Sequence, residues 1–419
     1  MWLRPEIISG LREVTGAIHT EGAAAGIQIG HCGNMSHKKI CGTTPISAST
    51  GFNLYSPTFV RGMKREELPE MARAYGRAVH LAREAGFDAV EVHAGHGYLI
   101  SQFLSPYTNH RKDDYGGLLQ NRMRFMEMVM NEVMTAAGSD MAVIVKMNMR
   151  DGFKGGMETD ESLQVAKRLL ALGAHALVLS GGFVSKAPMY VMRGAMPIRS
   201  MAYYMDCWWL KYGVRMFGKW MIPSVPFKEA YFLEDALKFR AALPDAPLIY
   251  VGGLVSRQKI DEVLDSGFDA VQMARALLNE PGFVNRMKQE EQARCNCGHS
   301  NYCIGRMYTI EMACHQHLKE QLPSSLQKEI DKLEKKCFLI VHFYLPHRET
   351  IASPVRNKSM HTEEHFVGFK AMNGSRIEKD VYLVWLYAIL DCFLYAHAFI
   401  YTVYFLVCYF LTGYFPVEY

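Results

Sequence analysis

A phrase that returns along the chain constrains its fold most. Ala85-Gly-Phe-Asp-Ala-Val-Glu-Val92 recurs as Ser266-Gly-Phe-Asp-Ala-Val-Gln-Met273, and more loosely as Leu172-Gly-Ala-His-Ala-Leu-Val-Leu179. Each copy follows an amphipathic stretch, at 68–84, 258–265 and 160–171. A glycine there suits the residue just past a helix end, where φ is often positive. The apolar run behind it is short and unbroken, as in a strand buried on both faces. The phrase is therefore a helix–Gly–strand junction. Runs at 26–30, 142–147 and 248–251 have the same strand character, which makes six strands in all.

Strand–helix alternation predicts an α/β chain with a parallel sheet and right-handed crossovers. An open doubly wound sheet and a (β/α) barrel both satisfy this. The strand ends favour the barrel. His31, His93, Lys146, Gly181-Gly182, Gly252-Gly253 and Arg275 all follow strands. A barrel gathers every strand end around one site, whereas an open sheet has one crevice at a switch point. A TIM (β/α)8-type barrel needs eight strands, however, and the chain opens with a helix at 4–22 that leads straight into a strand. The composition agrees with a packed core, at 49% hydrophobic and 21% charged. Forty-six Lys and Arg against 42 Asp and Glu leave +4 over 419 residues, too little to suggest nucleic acid. The expected partner is a small-molecule substrate. Ten cysteines fall far below a disulfide scaffold. A long insertion at 188–227, carrying Trp208, Trp209 and Trp220, follows the fourth visible strand. It is either a cap over the site or a packing element.

The densest signal runs from His93-Ala-Gly-His-Gly-Tyr98 through Ser101-Gln-Phe-Leu-Ser-Pro106 to Asn109, Arg111, Asp113, Tyr115-Gly-Gly117 and Asn121-Arg122. Two histidines three apart at a strand mouth can both donate to one carbonyl, and a tyrosine two residues later can supply a proton. An isolated pair of this kind is more often a pair of hydrogen-bonded structural histidines. The full run, however, resembles the old yellow enzyme family of FMN-dependent NADH:flavin oxidoreductases, including the barrel half of 2,4-dienoyl-CoA reductases. Gln28-Ile-Gly-His-Cys-Gly-Asn34, Lys146, Val251-Gly-Gly-Leu254 and Met273-Ala-Arg-Ala276 match further family motifs in order. Asn34 replaces an arginine and Ala274 a glycine.

The resemblance implies FMN, reduced by NADH or NADPH, passing hydride to an activated alkene of the enone or enoyl type. It assigns His93, His96 and Tyr98 to catalysis, and Gln28, Lys146, Gly252, Gly253, Ala274 and Arg275 to the cofactor. It also implies an iron–sulfur cluster after the barrel in some members. Here Ser300 stands where a ligand cysteine belongs. Cys297, Cys303 and Cys314 remain, and Cys295 sits at the wrong spacing, so neither a cluster nor another metal is expected.

The family's first two βα units have no counterpart, so the barrel is expected to lack them. The expected organisation is an FMN-binding barrel at 1–290 and a cysteine-containing segment at 291–317. A linker at 318–380 and a hydrophobic helix at 381–415 follow. Residues 393–415 carry no Asp, Glu, Lys or Arg, a length that spans a bilayer, and basic residues precede them. This predicts a cytoplasmic catalytic domain anchored by its C-terminus. A spurious tail is the other reading. The alternative to an enzyme is an inactive, flavin-free barrel remnant, membrane-anchored or not.

Overall fold

The structure is a computed structural model that describes residues 3–36, 38–53, 58–205, 208–306, 312–342 and 383–385. The strands are β1 Ala24–Ile29, β2 Ile46–Ser47, β3 Gly51–Asn53, β4 Thr58–Gly62, β5 Ala89–Ala94, β6 Ala142–Asn148, β7 Ala176–Ser180, β8 Leu248–Val251, β9 Ala270–Gln272 and β10 Leu383–Trp385. Seven of them form one parallel sheet in the order β10-β1-β5-β6-β7-β8-β9. All six sequence-derived strands lie in it. β2, β4 and β3 make a separate small sheet that the motif analysis did not anticipate.

The sheet is open by hydrogen bonding but strongly curled. Side chains of β5 and β9, four strands apart, meet at 2.9 Å between Glu91 and Gln272. Alternate residues face two different surroundings. Ala25, Val90, Val92, Val143, Val145, Leu177, Leu179 and Leu248 point outward into the main core beneath the helices. Ile144, Ala176, Val178 and Ile249 form a small cluster on the inner, concave side. This two-sided burial explains why the strands are unbroken apolar runs.

The junctions have a common construction. Gly86, Gly173 and Gly267 have φ of 85°, 96° and 94°, and each ends a helix. The amides of Phe87 and Ala174 reach back to the carbonyls of Ala82 and Leu169, satisfying two of the last helical acceptors. The side chain two residues after each glycine then binds the neighbouring strand. Asp88 accepts from Ala25 N (2.6 Å), His175 from Val143 N (2.9 Å) and Asp269 from Leu248 N (2.8 Å). The repeated phrase is thus a cap and a strand clamp in one.

The insertion folds into the helices Pro188–Met192, Ile198–Tyr203 and Trp208–Met221. Met189, Met196, Ile198, Met201 and Val214 share a core cluster with Tyr98 and Met35. The insertion therefore lies over the end of β5. The helix Ser324–His342 lies within the segment 318–380 that was expected to be a linker. Its Glu329 carboxylate accepts from the amides of Arg199 and Ser200 at 2.8 and 2.7 Å, capping the helix Ile198–Tyr203.

The sheet is a curled parallel half-barrel, in keeping with the expected barrel-type fold; β1 and β9, the edges of the expected set, do not pair. One expectation needs correction. Of the hydrophobic helix expected at 381–415, only Leu383–Trp385 is described, and it is a strand against β1. The unpaired edge of β1 offers ladder hydrogen bonds that an aromatic and β-branched run can take. The rest of that segment lies outside the described residues. Among the described residues no helix is long and apolar enough to cross a membrane.

The second half of the long motif is a clasp. Arg111 donates to the carbonyls of Ala48 (3.0 Å) and Met63 (2.5 Å) and forms a two-point ion pair with Asp113. Asn109 donates to the carbonyls of Phe103 and Tyr115, both at 2.7 Å. Arg122 is buried between the carbonyls of Leu104 and Gly117 and the Glu161 carboxylate. These bonds fasten the loop after β5 to the small sheet. Replacing Arg111 by Ala strands two carbonyls and one carboxylate. Urea unfolding is expected to show a loss of about 2–4 kcal/mol. Arg111→Lys recovers little of it, since an ammonium cannot make the planar fork.

Candidate active site

The site lies at the C-terminal ends of β1, β5, β6 and β7. β5 delivers Glu91 and His93 to the concave side, and the chain then turns sharply. His96 has φ 58° and Gly97 φ 82°. A left-handed histidine is costly, and such strain concentrates where geometry serves function. A Cβ at Gly97 would lie 2.5 Å from Phe183, so this turn permits no side chain. Asn148, at the end of β6, holds the turn. Its Oδ1 accepts from His96 N (2.9 Å), and its Nδ2 donates to Asp151 (2.9 Å) and to the Gly182 carbonyl (2.8 Å).

The turn brings His93, His96 and Tyr98 together, with ring centres 5.0 Å apart for His93–His96 and 4.7 Å for His93–Tyr98. His96 Nε2 is 2.7 Å from Ser180 Oγ, at the end of β7. Among the described residues neither ring nitrogen of His93 has a hydrogen-bond partner, although both are buried. Such atoms are costly unless something else completes them. Burial pushes the His96 imidazole down to about 3 and that of His93 well below its usual value, with the Lys146 charge adding to both. Both rings are therefore neutral near pH 7, and each offers one N–H.

Behind them lies a polar centre that sequence reasoning missed. Glu91 is fully buried and accepts from Gln28 Nε2 (2.5 Å), Lys146 Nζ (2.9 Å) and Gln272 Nε2 (2.9 Å). Four strands thus send one polar side chain each to a single point on the concave face. The signal was present in the repeat, where Glu91 and Gln272 hold the same place in two copies. A charged residue inside a two-sided apolar strand is the informative observation, because it needs partners.

The other expected residues lie on the far side of the concave face. Gly252 and Gly253 have φ of 155° and 74°. A Cβ at Gly253 would come within 2.6 Å of Tyr231, whose hydroxyl donates to the Val191 carbonyl at 2.8 Å. Among the described residues, neither Gly252 N nor Gly253 N has an acceptor. The Arg275 guanidinium turns toward the insertion, onto Asn301 Oδ1 and the Met192 carbonyl (2.6 Å). Ala274 immediately precedes it at the end of β9. Arg275 also lines one pocket with Cys297, Cys303, Cys314 and His299. Burial raises the Cys303 thiol to about 12 and the Cys295 thiol to about 11. Among the described residues no group of three or more His, Cys, Asp or Glu is arranged to hold a metal ion.

Comparison with known proteins follows the same lines. The profile of the NADH:flavin oxidoreductase / NADH oxidase family matches residues 3–206. A 4,4'-dithiodibutanoate disulfide reductase of Rhodococcus erythropolis is 39% identical over 303 residues, 72% of this chain and 75% of that protein. The chain belongs to this family. It is accordingly an NAD(P)H-dependent flavin oxidoreductase, with FMN as the family's cofactor. An NADPH dehydrogenase of Listeria monocytogenes serovar 1/2a is 35% identical over 184 residues, 44% of this chain. The chain spans 53% of that relative's length. Among solved structures, 2-naphthoyl-CoA reductase superposes with a TM-score of 0.60 at 22% identity, over 78% of this chain and 47% of that one. An old yellow enzyme homologue from Zymomonas mobilis gives 0.52 at 22% identity, over 69% and 73%. Both share the fold with this flavin oxidoreductase.

Two outcomes test this geometry. Glu91→Leu leaves Lys146 buried without its carboxylate and is expected to cost about 3–5 kcal/mol in urea unfolding. The double variant Glu91→Leu/Lys146→Leu regains most of that. The second concerns pH. The folded-state pKa of His96 lies below its unfolded value of 6.5. Between 6.5 and about 3 the unfolded chain therefore binds the extra proton, and stability falls as pH falls. The slope is about 1.4 kcal/mol per pH unit for one such group. His96→Asn is expected to flatten the fall by about that amount in urea midpoints measured across pH.

Proposed function

We propose that this flavin oxidoreductase reduces an alkene conjugated to a carbonyl, with NADH or NADPH as the source of hydride. The observation that carries the reading is the pair of buried, neutral imidazoles of His93 and His96 beside Tyr98. FMN, when bound, supplies the two-electron relay between nicotinamide and substrate. Gln28, Lys146, Gly252, Gly253, Ala274 and Arg275 are the residues we assign to holding it. The acceptor-free amides of Gly252 and Gly253 and the Arg275 guanidinium suit a phosphate dianion. The Lys146 ammonium suits negative charge on the reduced ring.

The side chains around the substrate do the rest. One N–H from each neutral imidazole binds the carbonyl oxygen, where negative charge builds as hydride reaches the β-carbon. Donors fixed before the reaction need no reorganisation, which is what the Asn148 and Ser180 contacts to His96 provide. Tyr98 gives its phenolic proton to the α-carbon. The sum is addition of H− and H+ across the C=C bond. The insertion packed over Tyr98 limits water at that proton.

A second acceptor has a specific observation in its favour, the name of the 39% identical relative. In a disulfide, one sulfur takes the hydride and the other leaves as a thiolate, which Tyr98 protonates. Both readings are tested with the purified chain loaded with FMN. NAD(P)H consumption is followed with 2-cyclohexen-1-one and with 4,4'-dithiodibutanoate. Turnover of the enone is the expected result, and turnover of the disulfide alone replaces the first reading by the second. A chain that stays colourless after incubation with FMN overturns both. His93→Ala and His96→Ala are each expected to lower kcat/KM for the enone about 100- to 1000-fold while flavin reduction by NAD(P)H stays near normal. Tyr98→Phe should cost about 100-fold in the same half-reaction.

A further inference from the structure

The insertion has a second face that the site does not use. In the helix Trp208–Met221, Gly213, Val214 and Gly218 are buried, and Val214 joins the cluster around Tyr98. The opposite side is open. Trp208, Met216 and Trp220 are 71%, 73% and 73% exposed, and Tyr212 is 58% exposed. These four lie at successive steps of four residues, so they form one continuous stripe. Tyr203, 41% exposed on the adjoining helix Ile198–Tyr203, extends it. Lys211, Arg215 and Lys219 repeat at the same step along one flank of the stripe. The helix contains no Asp or Glu, and none of its three cations is ion-paired with a described residue.

A surface of four large apolar side chains in a row marks a binding face. Its charge selects the partner. A second copy laid on this face would oppose three cations to three cations with no anion between them. A boundary between water and anionic lipid fits both halves of the face. Indole and phenol rings settle at headgroup depth, and Lys and Arg stems lie along apolar surface while their heads reach phosphates.

We propose that the helix Trp208–Met221 is a docking face for an anionic bilayer, lying flat in the headgroup layer with its other side on the core around Tyr98. The inference stands on the exposed face alone and is independent of the redox assignment. It is distinct from any role of residues 393–415, because it requires anionic lipid and surface lysines and arginines.

The test uses the full chain and vesicles of phosphatidylcholine, with or without phosphatidylserine. The chain is expected to co-sediment with the phosphatidylserine vesicles at low salt, to be released as salt rises, and to show a blue shift of tryptophan emission on binding. Lys211→Glu/Arg215→Glu/Lys219→Glu is expected to weaken partitioning by at least about 100-fold. Trp208→Ser/Trp220→Ser should weaken it more than about tenfold. An unchanged melting temperature in either variant shows that the fold is intact. Equal binding to both vesicle types, binding that survives the triple reversal, or no binding at all overturns the proposal.

Discussion

The ion pair between Glu91 and Lys146 is the constraint on which the rest of this site depends. A carboxylate and an ammonium removed from water are each costly, and only mutual contact plus further hydrogen bonds makes the burial tolerable. Gln28 and Gln272 supply those bonds from β1 and β9. The positions of two proposed cofactor residues, Gln28 and Lys146, are therefore set by a third residue with no assigned chemical step. Burial depresses both histidines and the same cation adds to it, so the group proposed to suit a reduced flavin also helps to keep the imidazoles neutral. Electrostatics of the cofactor side and of the substrate side are coupled through one lysine.

The long motif after β5 divides by physical role. Its first six residues, His93 to Tyr98, make a strained turn that presents three polar rings. Its remainder is bonded to backbone carbonyls and to carboxylates of the protein itself. Arg111, Asn109 and Arg122 saturate the acceptors of loops that have no regular partner, as buried main-chain groups require. A sequence pattern treats both halves alike. Only the hydrogen-bond partners separate a group that faces a substrate from one that faces the protein.

The strands of the main sheet and the helices that lead into the repeated phrase were legible because their causes are local. The 3.6-residue period, the glycine with positive φ and the unbroken apolar run each act within a few residues. His93, His96 and Tyr98 were legible as a cluster because one short turn carries all three. Glu91 was not singled out, because its meaning depends on Gln272, 181 residues away. The small sheet β2-β4-β3 escaped notice because strands of two to five residues leave too little period to detect. The bonds that the Arg275 guanidinium makes to Asn301 and Met192 were not legible either. Asn301 lies in an irregular segment and Met192 ends a short helix of the insertion, and no local rule predicts either path.

Each clamp made by Asp88, His175 and Asp269 joins a strand only to its neighbour, so the clamps alone would tolerate any number of strands. The contact of Glu91 with Gln272 is different in kind. It spans the concavity and closes only when β6, β7 and β8 lie between its two ends with the right curvature. It acts as a gauge of circumference: one strand added between β7 and β8, where no clamp acts, would leave all three clamps intact and break this single bond.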